Sequence, residues 1–169
     1  AGNIGKGQAL HKIIPKLSRL LPDIEFLIIG AGSGLNILKK NMIQNKSKNV
    51  RIIKPVPRNL LLEFYKDADL LFLHLDKKQS MNKVIPSKIF EYASTSKPII
   101  AGVNGEIKNF IKINIINSFI FDPCDYNSAK SIILNNHFNE EKRTKFMNKY
   151  SRVSICEKMV ASILSLNNE

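Results

Sequence analysis

Short apolar blocks alternate with longer amphipathic stretches along this chain. The blocks fall at residues 25–29, 50–53, 69–73, 98–101 and 118–121, rich in Ile, Leu, Phe and Val and without strict period-two alternation. Such blocks predict strands buried on both faces. Residues 6–21 place Leu10, Ile13, Ile14 and Leu17 on one helical face, with Pro15 inside as a cost and a predicted kink. Further helices are predicted over 35–45, over 59–66 with Asn59 as cap, from Ser87, and over 106–113, 126–135, 140–149 and 151–166. Pro22-Asp23, the run Gly30 to Gly34, Pro55-Val56-Pro57, Asn104-Gly105 and Asp122-Pro123 punctuate the elements, and residues 74–83 read as a polar loop. Strands alternating with helices predict an α/β, Rossmann-like, doubly wound parallel sheet. In such a sheet a ligand binds beyond the carboxyl ends of the strands.

Composition narrows the picture. The chain has 169 residues, 44% of them hydrophobic, which supports one domain over 1–169 with a real core. No apolar run is long enough for a membrane-spanning helix. Cys124 and Cys156 have no CxxC spacing and, with three scattered histidines, predict no metal site. Two free thiols fit a reducing cytoplasm. The net charge is +12, but the lysines are spread over nearly every predicted helix. No strand interleaves aromatic and basic residues, so no nucleic-acid partner is expected. Weak association with an anionic membrane surface is the expectation the charge leaves.

The chemistry concentrates in Pro86-Ser87-Lys88-Ile89-Phe90-Glu91-Tyr92 and the following Lys97-Pro98-Ile99-Ile100-Ala101. Pro86 ends what precedes it and Ser87 is expected to cap the helix. Glu91, on an otherwise apolar segment, can accept hydrogen bonds from two neighbouring hydroxyls, such as those of a ribose. Lys88 and the helix-start N–H groups suit a phosphate. Gly2, Asn3, Gly5, Lys6 and Gln8 form a small-residue loop entering a helix, where backbone amides can approach a diphosphate. Gly30-Ala31-Gly32-Ser33-Gly34 is not a full G-x-G-x-x-G, and no acidic residue stands near position 53, so NAD is excluded. His74 ends a predicted strand without a carboxylate partner in sequence range and is assigned no catalysis.

These runs resemble the donor-binding domain of GT-B glycosyltransferases, in particular the family 4 enzymes of bacterial capsule and O-antigen synthesis. Two positions depart from that pattern: Ser96 stands where glycine is usual, and Lys83 where a first glutamate often precedes Glu91. The resemblance implies a retaining enzyme with a nucleotide-sugar donor, UDP-linked, and no further cofactor or metal. It implies that Glu91 holds the ribose and that Ser87 and Lys88, following Pro86, take the phosphates. Gly2, Asn3, Gly5, Lys6 and Gln8 would contact the donor, Gly30 and Gly32 would line the nucleotide cleft, and Val56 and Pro57 would face the base through their backbone. It assigns no catalytic residue to this chain and expects an acceptor-binding amino-terminal domain outside it. The chain would then be the carboxy-terminal half of a longer enzyme, unable to turn over substrate alone. Its last helix would cross back to the other half. A UDP-sugar epimerase-like enzyme and a non-catalytic nucleotide- or partner-binding module remain as alternatives.

Overall fold

The computed structural model describes residues 1–166. Its strands are β1 Gly2–Asn3, β2 Phe26–Ala31, β3 Val50–Ile53, β4 Leu71–His74, β5 Ile99–Gly102 and β6 Ser118–Phe121. Its helices are α1 Leu10–Leu20, α2 Leu35–Gln44, α3 Arg58–Asp67, α4 Lys88–Ala93, α5 Glu106–Asn114, α6 Tyr126–Asn135, α7 Thr144–Tyr150 and α8 Arg152–Leu166. Every strand pair is parallel, so every connection must cross back through a helix. The ladder forms two three-stranded pieces, β1-β2-β3 and β4-β5-β6.

Helices cover both faces, as the apolar blocks predict. On β5, Ile99 and Ala101 join one core with Ile89, Tyr92, Ile107 and Ile111. Ile100 points the other way and joins Ile13, Leu17, Leu38, Phe121 and Ala129. The second core also takes Ile28 of β2, so it binds the two ladders into one layered body.

Several boundaries differ from the sequence pattern, each for a local reason. The helix predicted over 6–21 is split: Lys6–Gln8 is a 3₁₀ turn and Ala9, at φ 48°, separates it from α1. Pro15 lies inside an uninterrupted α1. A proline at 15 cannot donate to the carbonyl of His11, and Asn41 Nδ2 of α2 fills that gap at 2.8 Å. Asn59 lies within α3, whose cap position is Pro57. The helix predicted from residue 140 begins at Thr144. The segment before it is held non-helical by outward contacts: Glu140 pairs with Lys97 at 2.6 Å, and the N–H of Glu141 donates to the carbonyl of Ser96 at 2.8 Å. On α8, Val153, Ile155, Met159, Val160, Ile163 and Leu164 are 47–68% exposed, so the buried face expected of this helix is uncovered among the described residues.

Candidate functional site

The site grows from the carboxyl ends of β1 and β2. Gly2 pairs with Gly30 and Asn3 with Ala31, which extends β2 past its predicted end. Gly30 has φ +147°, and a Cβ there would collide with the carbonyl oxygen of Gly2. Only glycine allows this approach. Beside the paired glycines opens a cleft of about 260 Å³, lined by Gly2, Asn3, Ile29, Gly30, Ala31, Pro55, Val56 and Leu61. A larger hollow of about 630 Å³ lies along α8, but its wall is mainly the uncovered apolar face of that helix. Convergent polar groups, which a small-molecule site needs, gather at the first cleft.

Lys88 closes one end. A Cβ at Gly2 would stand 3.4 Å from Lys88 Cε and 3.5 Å from its Nζ. Lys88 Nζ pairs with Glu91 Oε2 at 2.8 Å, and the two side chains are 20% and 40% exposed. The ammonium also donates to the hydroxyl of Tyr65 at 3.2 Å. That hydroxyl in turn donates to Glu91 Oε2 at 3.3 Å. Burial first, then the neighbouring Glu91 charge, raises the Tyr65 phenol above its usual pKa, so it stays a protonated donor. The Tyr65 ring is fixed edge-on against Tyr92 at 5.4 Å between centroids.

The expected Ser87 cap is absent. Ser87 has helical angles, φ −55° and ψ −27°, and its side chain caps no N–H. The turn starts earlier, with the Pro86 carbonyl accepting from the Ile89 N–H at 3.1 Å. A cap needs an extended backbone so that its hydroxyl can turn back onto the helix.

A second network holds the loop after β1. Gln8 Oε1 accepts from the Gly5 N–H at 2.7 Å, so this side chain closes its own turn and does not face a ligand. His74, at the end of β4, is 2% exposed. Its Nε2 accepts from the Cys124 N–H at 2.9 Å, which leaves Nδ1–H to donate to the Gln8 carbonyl at 2.7 Å. Burial lowers the His74 pKa to about 4 despite that carbonyl. Asp76, 4% exposed, pairs with Lys12 at 2.7 Å and accepts from the Lys77 N–H at 2.9 Å. Burial pushes the Asp76 carboxyl up, but these partners outweigh it and leave it below its usual range. The Asp76 N–H donates to the Gly7 carbonyl at 2.8 Å. His74 and Asp76 therefore pin the 5–8 turn to the end of β4.

Residues 2–152 match the family described as glycosyl transferases group 1. The chain belongs to that family. Its fold is also that of solved glycosyltransferases. HepE from Anabaena, in complex with UDP, superposes with TM-score 0.76 at 14% identity, over 97% of this chain and 48% of its own. AviGT4, a glycosyltransferase involved in avilamycin A biosynthesis, superposes with TM-score 0.73 at 13% identity, over 98% and 49%. The catalytic domain of cholesterol-alpha-glucosyltransferase from Helicobacter pylori gives TM-score 0.63 at 17% identity, over 93% and 95%. The chain thus spans about half the length of HepE and AviGT4. A comparison with curated protein sequences finds no match.

Within this glycosyltransferase fold, Gly2, Asn3, Gly30 and Val56 share the cleft wall, and Lys88 and Glu91 stand at its Gly2 end. Gly5, Lys6 and Gln8 form the adjoining turn, with the Lys6 side chain exposed. Gly32 packs under Asn3 and the Ile4 backbone. Pro57 and Pro86 precede α3 and α4 and lie outside the lining. Sequence reasoning missed Leu61, Tyr65, Lys12 and Asp76. Leu61 and Tyr65 are one helical turn apart, so the apolar face of α3 carried a readable signal for that pair alone.

Proposed function

We propose that this glycosyltransferase domain binds the nucleotide-sugar donor of a retaining enzyme, and that the donor is UDP-linked. The observation that carries the reading is the placement of Lys88 and Glu91 together beside Gly2, at the end of the glycine-walled cleft. A carboxylate accepts from ribose hydroxyls, while a cation and exposed backbone amides offset the charge of a leaving diphosphate. Val56 gives the base a backbone edge on the same wall. The solved HepE complex contains UDP, which supports that choice of nucleotide. The sugar passed on would be a hexosyl or N-acetylhexosaminyl unit, and the acceptor a lipid-linked or saccharide chain in capsule, O-antigen or similar surface polysaccharide synthesis. Acceptor groups would come from a second, amino-terminal domain, for which the exposed apolar side of α8 offers a surface. The net charge of +12 supports a cytoplasmic enzyme peripheral to the inner face of the membrane.

Calorimetric titration with UDP, GDP, ADP and UDP-N-acetylglucosamine, without and with Mg²⁺, tests the reading. The expected result is metal-independent binding of UDP and its sugar in preference to GDP and ADP. Absence of any binding, or binding only with Mg²⁺, would remove the donor assignment. Lys88→Ala is expected to weaken UDP but leave uridine nearly unchanged. Glu91→Ala is expected to weaken both, by about 1–3 kcal/mol, because a charged acceptor is lost. Equal losses of both ligands in Lys88→Ala would remove the phosphate role of Lys88.

A further inference from the structure

We propose that Tyr65 is a positioning residue: its hydroxyl keeps the Glu91 carboxylate in place when Lys88 turns from Glu91 to a phosphate of the bound nucleotide. The inference rests on the reading of the cleft as a nucleoside-diphosphate site. Three groups meet at one point. Lys88 Nζ lies 2.8 Å from Glu91 Oε2 and 3.2 Å from the Tyr65 hydroxyl, and that hydroxyl lies 3.3 Å from the same carboxylate oxygen. Without ligand, the ammonium is the main partner of Glu91. A diphosphate carries more negative charge than one carboxylate and draws the ammonium toward itself. Glu91 is then left beside an anion with its counter-ion withdrawn. Beside the ribose hydroxyls it accepts from, the protein group that remains to hold it is the Tyr65 O–H.

Tyr65 is suited to that task and the core does not need its hydroxyl. The residue is 5% exposed among apolar neighbours, so the phenol oxygen has a fixed position. Glu91 is 40% exposed and has room to swing away. The hydroxyl bonds to the two cleft side chains, Lys88 and Glu91, which a phenylalanine would pack equally well without. The phenol also keeps its proton, because burial and the nearby carboxylate disfavour phenolate. Tyr65 thus links the apolar core of α3 to a polar task at the cleft.

The test is titration of the wild-type chain and Tyr65→Phe with UDP, 2′-deoxy-UDP and uridine. For UDP, the expected loss in Tyr65→Phe is roughly five- to twentyfold, around the lower end of the range for one hydrogen bond to a charged group, because the hydroxyl acts through Glu91 and does not touch the ligand. For uridine the loss should stay under about twofold, since without a phosphate Lys88 remains on Glu91. For 2′-deoxy-UDP the loss should also be smaller than for UDP, because one ribose hydroxyl that Glu91 would accept from is missing. Tyr65→Met, apolar and flexible enough to fill the same space, should give the same ligand dependence. Equal losses for all three ligands would mean a purely structural role and overturn the inference, as would unchanged UDP affinity in a folded variant. A wild-type chain that binds none of the three overturns the reading of the cleft and the inference with it.

Discussion

Replacing Arg143 by alanine is expected to lower the free energy of unfolding by about 2–4 kcal/mol. Arg143 is 2% exposed and precedes α7. Its guanidinium donates to four backbone carbonyls: Thr95 at 2.7 Å, Lys97 at 2.9 Å, Ile116 at 2.9 Å and Asn117 at 3.0 Å. Two of these close the turn from α4 into β5, and two close the turn from α5 into β6. One side chain therefore ties together the entries of two adjacent strands. Alanine would leave the carbonyls of Thr95, Lys97 and Ile116 without this donor, whereas that of Asn117 keeps the Ile99 N–H at 3.2 Å, and each orphaned group carries a desolvation cost. The fork of a guanidinium has five N–H groups in fixed directions, whereas an ammonium is a single point of charge. Arg143→Lys is accordingly expected to recover less than half of the loss. Urea unfolding of the two variants measures both. A change below about 0.5 kcal/mol for alanine, the size of an ordinary surface substitution, would show that the carbonyls find other partners.

The second large effect is loss of stability under mild acid. The folded state keeps His74 neutral, with its pKa lowered from 6.5 to about 4, chiefly by burial. An unfolded chain takes up the proton near 6.5, so between about pH 6.5 and pH 4 the unfolded state binds more protons. The His74 contribution is therefore fully present above 6.5 and is lost as pH falls toward about 4. One proton over that interval amounts to about 3 kcal/mol, at ~1.4 kcal/mol per pH unit. Protonation also turns Nε2 into a donor facing the Cys124 N–H, which it now accepts from at 2.9 Å. The turn after β6 should loosen, while Nδ1–H keeps its bond to the Gln8 carbonyl. His11 is shifted in the same direction, by burial and then by Lys12, but is less buried and contributes less. Asp76 titrates lower, so its ion pair with Lys12 weakens only below this window. Thermal unfolding from pH 7.5 to 4.5 should show the decline in wild type. His74→Gln should be less stable at neutral pH and nearly flat across the window. An equally steep decline in His74→Gln would assign the effect to other groups.

Local pattern was enough to place all strands but the first, and most helices. Buried strands declare themselves as apolar blocks, and amphipathic helices as a stripe among near neighbours, so both signals sit within a few residues. The run from Pro86 to Ala101 was legible for the same reason. Lys88 and Glu91 lie three apart on one helix, so their nearness follows from the helical repeat. Backbone detail was less legible. Ser87 carries the side chain of a good cap, but the turn that begins at Pro86 puts it in a helical conformation where it cannot cap.

By itself the sequence determined the alternation of strand and helix, the glycines that let β1 approach β2, and the cation and carboxylate that mark the cleft. Only the tertiary structure decided which distant groups serve them. Tyr65 reaches Glu91 across 26 residues, Lys12 reaches Asp76 across 64 and Cys124 reaches His74 across 50. Arg143 finds its carbonyls up to 48 positions away. No local periodicity encodes such pairs. They arise because parallel pairing sends the chain back through a helix after each strand, which gathers the carboxyl ends of successive strands on one side of the molecule and their amino ends, where Arg143 binds, on the other.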